Sequence, residues 1–175
     1  DSFSFFVRVA PPLKPGPLAA GLRVRGPSDT VTVILVGHAV AVFISEILAD
    51  PPAGASGDAN GDGTRGTYAD EFVELRNAGP QTVDIGGWRL GGDDTPVTAW
   101  FEFPPTPLAP GERAVLFGGG APTGIPAPSF VDDGRIGNGL ANGGDRVLLL
   151  TASLDTADVV DGSGWGNNRS LARDT

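Results

Sequence analysis

Oxygen-bearing side chains alternate along Asp58-Ala59-Asn60-Gly61-Asp62-Gly63, and a strand-like run, Asp70-Glu71-Phe72-Val73-Glu74-Leu75, follows closely. Asp, Asn and Asp at alternate positions, with glycine sixth, is how a short loop wraps its oxygens around Ca²⁺, because glycine permits the sharp turn. The complete pattern carries a bidentate Glu at the twelfth position; here that position is Ala69, and the carboxylates of Asp70 and Glu71 come one and two residues later. The ligand set this spacing predicts is Asp58, Asn60, Asp62, a carbonyl near Thr64, and a carboxylate from Asp70 or Glu71. Asn-Gly and Asp-Gly are also plain turn formers, so a polar surface loop is the competing reading. Local charge favours calcium. Between Glu46 and Glu74 stand seven carboxylates (Glu46, Asp50, Asp58, Asp62, Asp70, Glu71 and Glu74) against one cation, Arg65. Such crowding is unfavourable unless the groups are well solvated or a cation sits among them.

Other chemistry finds little support. There is no cysteine, which excludes disulfides, thiol catalysis and cysteine-built zinc sites. The lone histidine, His38, lies in an apolar stretch, and no Gly-x-Ser-x-Gly elbow offers a nucleophile for it to activate. Gly118-Gly119-Gly120 lacks the lysine and the helix of a phosphate-cradling loop. The carboxylates could in principle supply a glycosidase pair, but they gather in a loop suited to a cation or to water. The expectation is a protein that is not an enzyme.

The elements that must position this loop are strands. From Val42 onward, short β-forming runs recur at Val42–Leu48, Glu71–Asn77, Thr82–Leu90, Thr98–Phe103, Ala114–Phe117, Arg146–Leu150 and Ala157–Val160. Turn residues separate them, and no segment of ten or more residues shows a helical period. Seven short strands so spaced predict a β-sandwich. Ala121–Phe130, rich in Pro and Gly, reads as a long surface loop. Val73 and Leu75 share one strand face, and Val83 and Ile85 point one way before Gly86-Gly87 bends the chain and presents Trp88. Trp88 therefore reads as a core anchor, with Val73, Leu75, Ile85, Leu90 and Val147 around it. Trp100 is expected to pack as well. Trp165, in Gly162-Ser163-Gly164-Trp165-Gly166, reads as an exposed aromatic contact on a flexible loop.

Residues 1–41 differ in style. Ser2–Val9 is strand-like, Pro11, Pro12, Pro15 and Pro17 follow, and Leu22–Arg25 and Thr30–Val36 alternate around the turn Gly26-Pro27-Ser28-Asp29. So small a unit cannot bury enough apolar surface to stand alone. The expected division is a strand-rich extension over 1–41 and a sandwich over 42–175. Charge follows the same division. The extension carries four cations (Arg8, Lys14, Arg23, Arg25) against Asp1 and Asp29, whereas the rest carries eight cations against nineteen anions. An acidic body argues against nucleic acid or anionic lipid as the partner. No apolar run approaches the length of a membrane span. The absence of Met, even at position 1, predicts a chain that begins after processing or an excised fragment.

From about Val42 to the end, the sequence resembles the lamin tail domain, an immunoglobulin-like sandwich of nuclear lamins and of many bacterial and archaeal secreted proteins. The resemblance rests on Phe43-Ile44-Ser45-Glu46-Ile47, on Glu71-Phe72-Val73-Glu74-Leu75-Arg76-Asn77, and on Val83-Asp84-Ile85-Gly86-Gly87-Trp88-Arg89-Leu90. It continues through Phe101-Glu102-Phe103-Pro104 with Leu108-Ala109-Pro110-Gly111-Glu112, and through Asn142-Gly143-Gly144-Asp145-Arg146-Val147. The long Asp58–Asp70 loop and the first forty residues depart from it. The resemblance implies an all-β, immunoglobulin-like β-sandwich in an extracellular or cell-surface protein; the N-terminal β-strand extension is read from the residues alone.

Two function classes follow. One is a non-enzymatic structural or interaction module that associates with itself or with another surface protein, building a filament by donating its N-terminal strand; the competing reading of that strand is that it folds back onto its own sandwich or belonged to a lost upstream domain. The other, implied by the company such domains keep, is an accessory domain of an extracellular hydrolase or nuclease. A catalytic domain in a longer parent gene would decide for the second.

Overall fold

The computed structural model describes residues 16–25, 30–39, 41–92, 98–166 and 168–173, the first two ranges by their backbone. Alternating β formers pair first in a hairpin: β1 (Gly16–Arg25) runs antiparallel to β2 (Thr30–Ala39), with Gly16 opposite Ala39 and Arg25 opposite Thr30. These two make a sheet of their own. The strand expected over Ser2–Val9 lies outside the described residues.

The remaining strands are β3 (Val42–Leu48), β4 (Phe72–Asn77), β5 (Val83–Asp84), β6 (Arg89–Gly91), β7 (Ala99–Glu102), β8 (Pro107–Leu108), β9 (Arg113–Phe117), β10 (Ser129–Val131), β11 (Arg146–Leu150), β12 (Thr156–Asp161) and β13 (Leu171–Ala172). One sheet has the order β10-β9-β4-β3-β13 and the other β12-β11-β6-β7, with β5 and β8 as a small separate pair. All pairings are antiparallel except β9 with β10. The fold is an immunoglobulin-like β-sandwich.

Period-two patterning builds the core. Val42 and Ile44 of β3, Val73 and Leu75 of β4, and Ala114 and Leu116 of β9 meet Leu90 of β6, Val147 and Leu149 of β11, and Val160 of β12. In β3 the alternation breaks, because Ile47 is also buried. A bulge at Ser45, where the register with β4 shifts between Ile44 and Glu46, brings Ile47 back to the inner face.

Trp88 is 8% exposed and joins this core together with Ile85 and Phe103. The strand expected over Thr82–Leu90 is in fact two, β5 and β6, divided by a turn. Gly87 takes φ +76°, the left-handed region glycine enters freely. The turn closes with Trp88 N–H donating to Ile85 O at 2.9 Å, while Phe103 N–H donates to Trp88 O at 2.8 Å. The sequence therefore places the ring correctly and misses the break that swings it inward.

Trp165 reverses its expectation. It is 5% exposed and belongs to the core. The glycines around it allow close backbone approach to the 142–145 turn rather than looseness. Gly164 N–H donates to Gly143 O at 2.8 Å and Gly166 N–H to Asn142 O at 2.6 Å, and a Cβ on Gly144 would collide with Gly162 O. Part of the loop expected over Ala121–Phe130 is likewise structured, since β10 pairs beside β9.

Two seams join the sheets. At one, Phe130 of β10 packs against Phe103 and Phe101, with ring centroids 5.5 and 6.0 Å away. At the other, the Ser45 bulge frees Ile44 N–H to donate to Asp158 Oδ2 of β12 at 2.9 Å. Arg173 closes that seam: Nη1 donates to Asp158 Oδ2 at 2.6 Å and to Ile44 O at 3.0 Å, and its own N–H donates to Ser45 O at 2.7 Å.

Candidate functional site

The 58–71 loop follows β3 after residues 49–57, which end in the short 3-10 turn Ala55–Gly57, and leads directly into β4, so its far end is fixed by the central sheet. Its oxygens turn inward onto its own backbone. Asp58 Oδ2 accepts Gly63 N–H at 2.9 Å, Asn60 Oδ1 accepts Asp62 N–H at 3.0 Å, and Asp62 Oδ1 accepts Thr64 N–H at 2.8 Å. Side chains that bond the backbone two residues on are the ordinary turn chemistry of Asx residues. The loop is also docked. Asn60 Nδ2 donates to Gly119 O at 3.1 Å, Asp62 Oδ2 accepts Ala121 N–H at 3.1 Å, and Thr123 N–H donates to Asn60 O at 2.9 Å. Gly120 permits this approach, since a Cβ there would strike Asn60 and Asp62.

Six residues were expected to gather around a cation, and the structure divides them. Asp58, Asn60, Asp62 and Thr64 belong to one wrapped turn. Asp70 is fully buried and spends one oxygen on Asn60 N–H at 3.0 Å and the other on Gly66 N–H at 2.6 Å, pinning the loop to the start of β4. Glu71, 1% exposed, sends its carboxylate elsewhere: Oε2 accepts Leu140 N–H at 3.1 Å. Burial pushes the Glu71 carboxyl up to about 7. The Leu140 N–H and the Arg135 guanidinium pull it down, and Asp145 adds to the rise. Among the described residues no three His, Cys, Asp or Glu side chains converge closely enough to hold a metal ion. One oxygen in the wrapped turn stays unspent, because Asp58 Oδ1 is buried without a hydrogen-bond partner among the described residues.

A second concavity, about 590 Å³, lies beside Trp100 and is lined by Asp132, Asp133, Asn138 and Asp145. Trp100 is half-buried against the core, as expected, with its ring over Gly137, where a Cβ would stand 2.7 Å from the indole. Asp132 accepts Asp133 N–H and Gly137 N–H, and burial raises its carboxyl above the usual range.

Sequence reasoning missed the Asp158–Arg173 clasp, whose members lie far from Ile44 in the chain. The available signal was an arginine two residues after Leu171, an apolar residue in a short β-forming run.

No curated protein matches the chain. A family model described as Lamin Tail Domain matches residues 37–167, well over half of the chain. The matched span contains both sheets' central strands, the buried Trp88 and the whole 58–71 loop, and on that match the chain belongs to the lamin tail domain family.

Proposed function

We propose that the chain is a non-enzymatic structural and interaction module of a secreted or cell-surface protein, which associates with copies of itself by strand donation. The family is a generic, non-catalytic immunoglobulin-like module, compatible with such a role. The observation that carries the reading is the division of charge. A segment with four cations and two anions precedes a body with eight cations and nineteen anions. The strand-like Ser2–Val9 is tethered by prolines that keep a chain extended. A strand added to an open sheet edge satisfies backbone donors and acceptors along its length, and head-to-tail addition does not close on itself, so it builds a filament. Deletion of residues 1–12, followed by sedimentation velocity, tests this. Loss of assembly with a folded, soluble sandwich is the expected result. Unfolding of the monomer would place the strand in its own sandwich instead.

The 58–71 loop serves this module as a calcium site. Support comes from the wrapped turn of Asp58, Asn60 and Asp62 and from the unspent Asp58 Oδ1. Those three side chains and the Thr64 carbonyl are the ligands this turn offers, with waters completing the shell. Flexible oxygen coordination of this kind suits Ca²⁺ better than Mg²⁺, which keeps its waters. Thermal melts with calcium and with chelator provide the test. Binding to the native state alone stabilises by about 2.7 kcal/mol at a hundredfold excess over Kd, so an unchanged midpoint at saturating calcium sinks the site.

A further inference from the structure

We propose that the donated strand docks on the outer edge of β3 in a second copy, displacing β13 and placing Arg8 where Arg173 stands. The inference rests on the reading that Ser2–Val9 is donated in trans, and it names the acceptor.

The acceptor edge is thinly covered. On its inner side β3 pairs with β4 from Val42 to Leu48; on its outer side, among the described residues, β13 pairs only with Ile47 and Glu46. Both β13 residues are exposed, Leu171 by 38%. A two-residue strand with little buried area is the segment of this sandwich most readily exchanged.

The edge also dictates what can replace β13. Asp158 is held by Ile44 N–H and by the Arg173 guanidinium, and its side chain is only 15% exposed. Removing Arg173 alone leaves a largely buried carboxylate short of its cation, which is costly. An incoming strand must therefore bring a cation to that position, on backbone that is free to pair. Four cations occur in residues 1–41, and only Arg8 meets the requirement. Arg23 and Arg25 already pair with Thr32 and Thr30 inside the β1–β2 sheet, and Lys14 stands between Pro12 and Pro15, which have no N–H to give a ladder. Phe6-Val7-Arg8 thus parallels Leu171-Ala172-Arg173, with Phe6 opposite Ile47 and Val7 opposite Glu46. Ser4, Phe5 and Val9 extend the pairing beyond what β13 makes, and Pro11 ends it. The acceptor's own β13 already completes its sandwich, so the edge is capped until a longer strand competes for it.

The chain contains no cysteine, so introduced thiols report the register cleanly. A Val7→Cys chain is mixed with a Glu46→Cys chain under mild oxidation and the mixed disulfide dimer is followed. Leu154→Cys, at an exposed turn, replaces Glu46→Cys as the control. The expected result is mixed V7C/E46C dimer forming at least several-fold faster than V7C/L154C dimer. Adding Arg8→Glu to the V7C chain should reduce the rate to the control level, while Arg8→Lys preserves most of it. Equal rates for the two pairs overturn the proposal. In that case, loss of assembly on deleting residues 1–12 leaves strand donation standing at another edge, whereas unchanged assembly removes donation itself. A chain carrying both V7C and E46C that closes only within itself at every dilution also overturns it, by placing the strand in its own sandwich.

Discussion

Glu71 offers the sharpest measurement. Its carboxyl is 1% exposed and accepts a single described N–H, that of Leu140, and burial pushes it up to about 7 from an ordinary value of 4.5. Between those values the folded chain holds a proton that the unfolded chain has released. Stability then falls as pH rises, by about 1.36 kcal/mol per unit while the two states differ by one proton. The contribution is complete below 4.5, declines through the interval, and is lost above about 7, a total of about 3 kcal/mol. Glu71→Gln keeps an oxygen for Leu140 N–H and removes the titration. Urea unfolding of both proteins from pH 5.5 to 8, in chelator so that no cation intervenes, isolates the effect as a difference curve in which the other carboxylates cancel. The glutamine variant should gain on the wild type steadily up to about pH 7 and hold a constant lead beyond. A flat difference would refute the reasoning, meaning that the Leu140 N–H and Arg135 compensate for burial and that Glu71 ionises like an exposed carboxylate.

Four further substitutions test the packing. Trp88→Ala should cost about 3–5 kcal/mol by denaturant unfolding, as large aromatic truncations in a core do; a loss below 1 kcal/mol would mean the ring is not an anchor. Asp158→Ala leaves Ile44 N–H without its acceptor and takes the carboxylate from the Arg173 guanidinium, which keeps Ile44 O, and should cost about 2–3 kcal/mol, since hydrogen bonds to charged groups are worth about 1.5–3 kcal/mol. Arg173→Ala in the same protein should then add little, because the two act as one unit. Leu154→Gly should stabilise by about 0.5–1 kcal/mol: Leu154 sits at φ +66° and is 56% exposed, so glycine relieves left-handed strain at small loss of buried area.

Much of the sandwich was legible because its signals are local. Val73, Leu75, Ile85, Leu90 and Val147 all lie in the core, as alternation around short turns predicts. Glycine was the recurrent source of error. Gly86-Gly87 reads as a bend inside one strand and is a turn between two; the glycines flanking Trp165 read as freedom and are close packing against the 142–145 turn. The same residue type serves both ends, and only the tertiary neighbour distinguishes them. Within the candidate site, the wrapped turn of Asp58, Asn60 and Asp62 was visible in the spacing. The destination of Glu71 was not, because Leu140 lies 69 positions on, and the partner of the Ser45 bulge lies 114 positions from Ile44.

Strand β4 is where these parts meet. Its first residue follows Asp70 and Glu71, so two residues before the core strand the chain grips the 58–66 loop, and one residue before it grips the segment that carries Leu140. Val73 and Leu75 then enter the core between β3 and β9. A cation held by the loop would therefore act on the strand at the centre of the larger sheet, not on a frayed appendage. Its effect would appear in global unfolding rather than in local fraying alone. On the far side of β3 the situation is opposite: β13 is short, exposed and held chiefly by the Arg173 clasp. Among the described residues the sandwich is thus paired along the whole β4 side of β3 and at two residues along the β13 side. An interaction module needs that asymmetry if it is to accept a foreign strand without losing its fold.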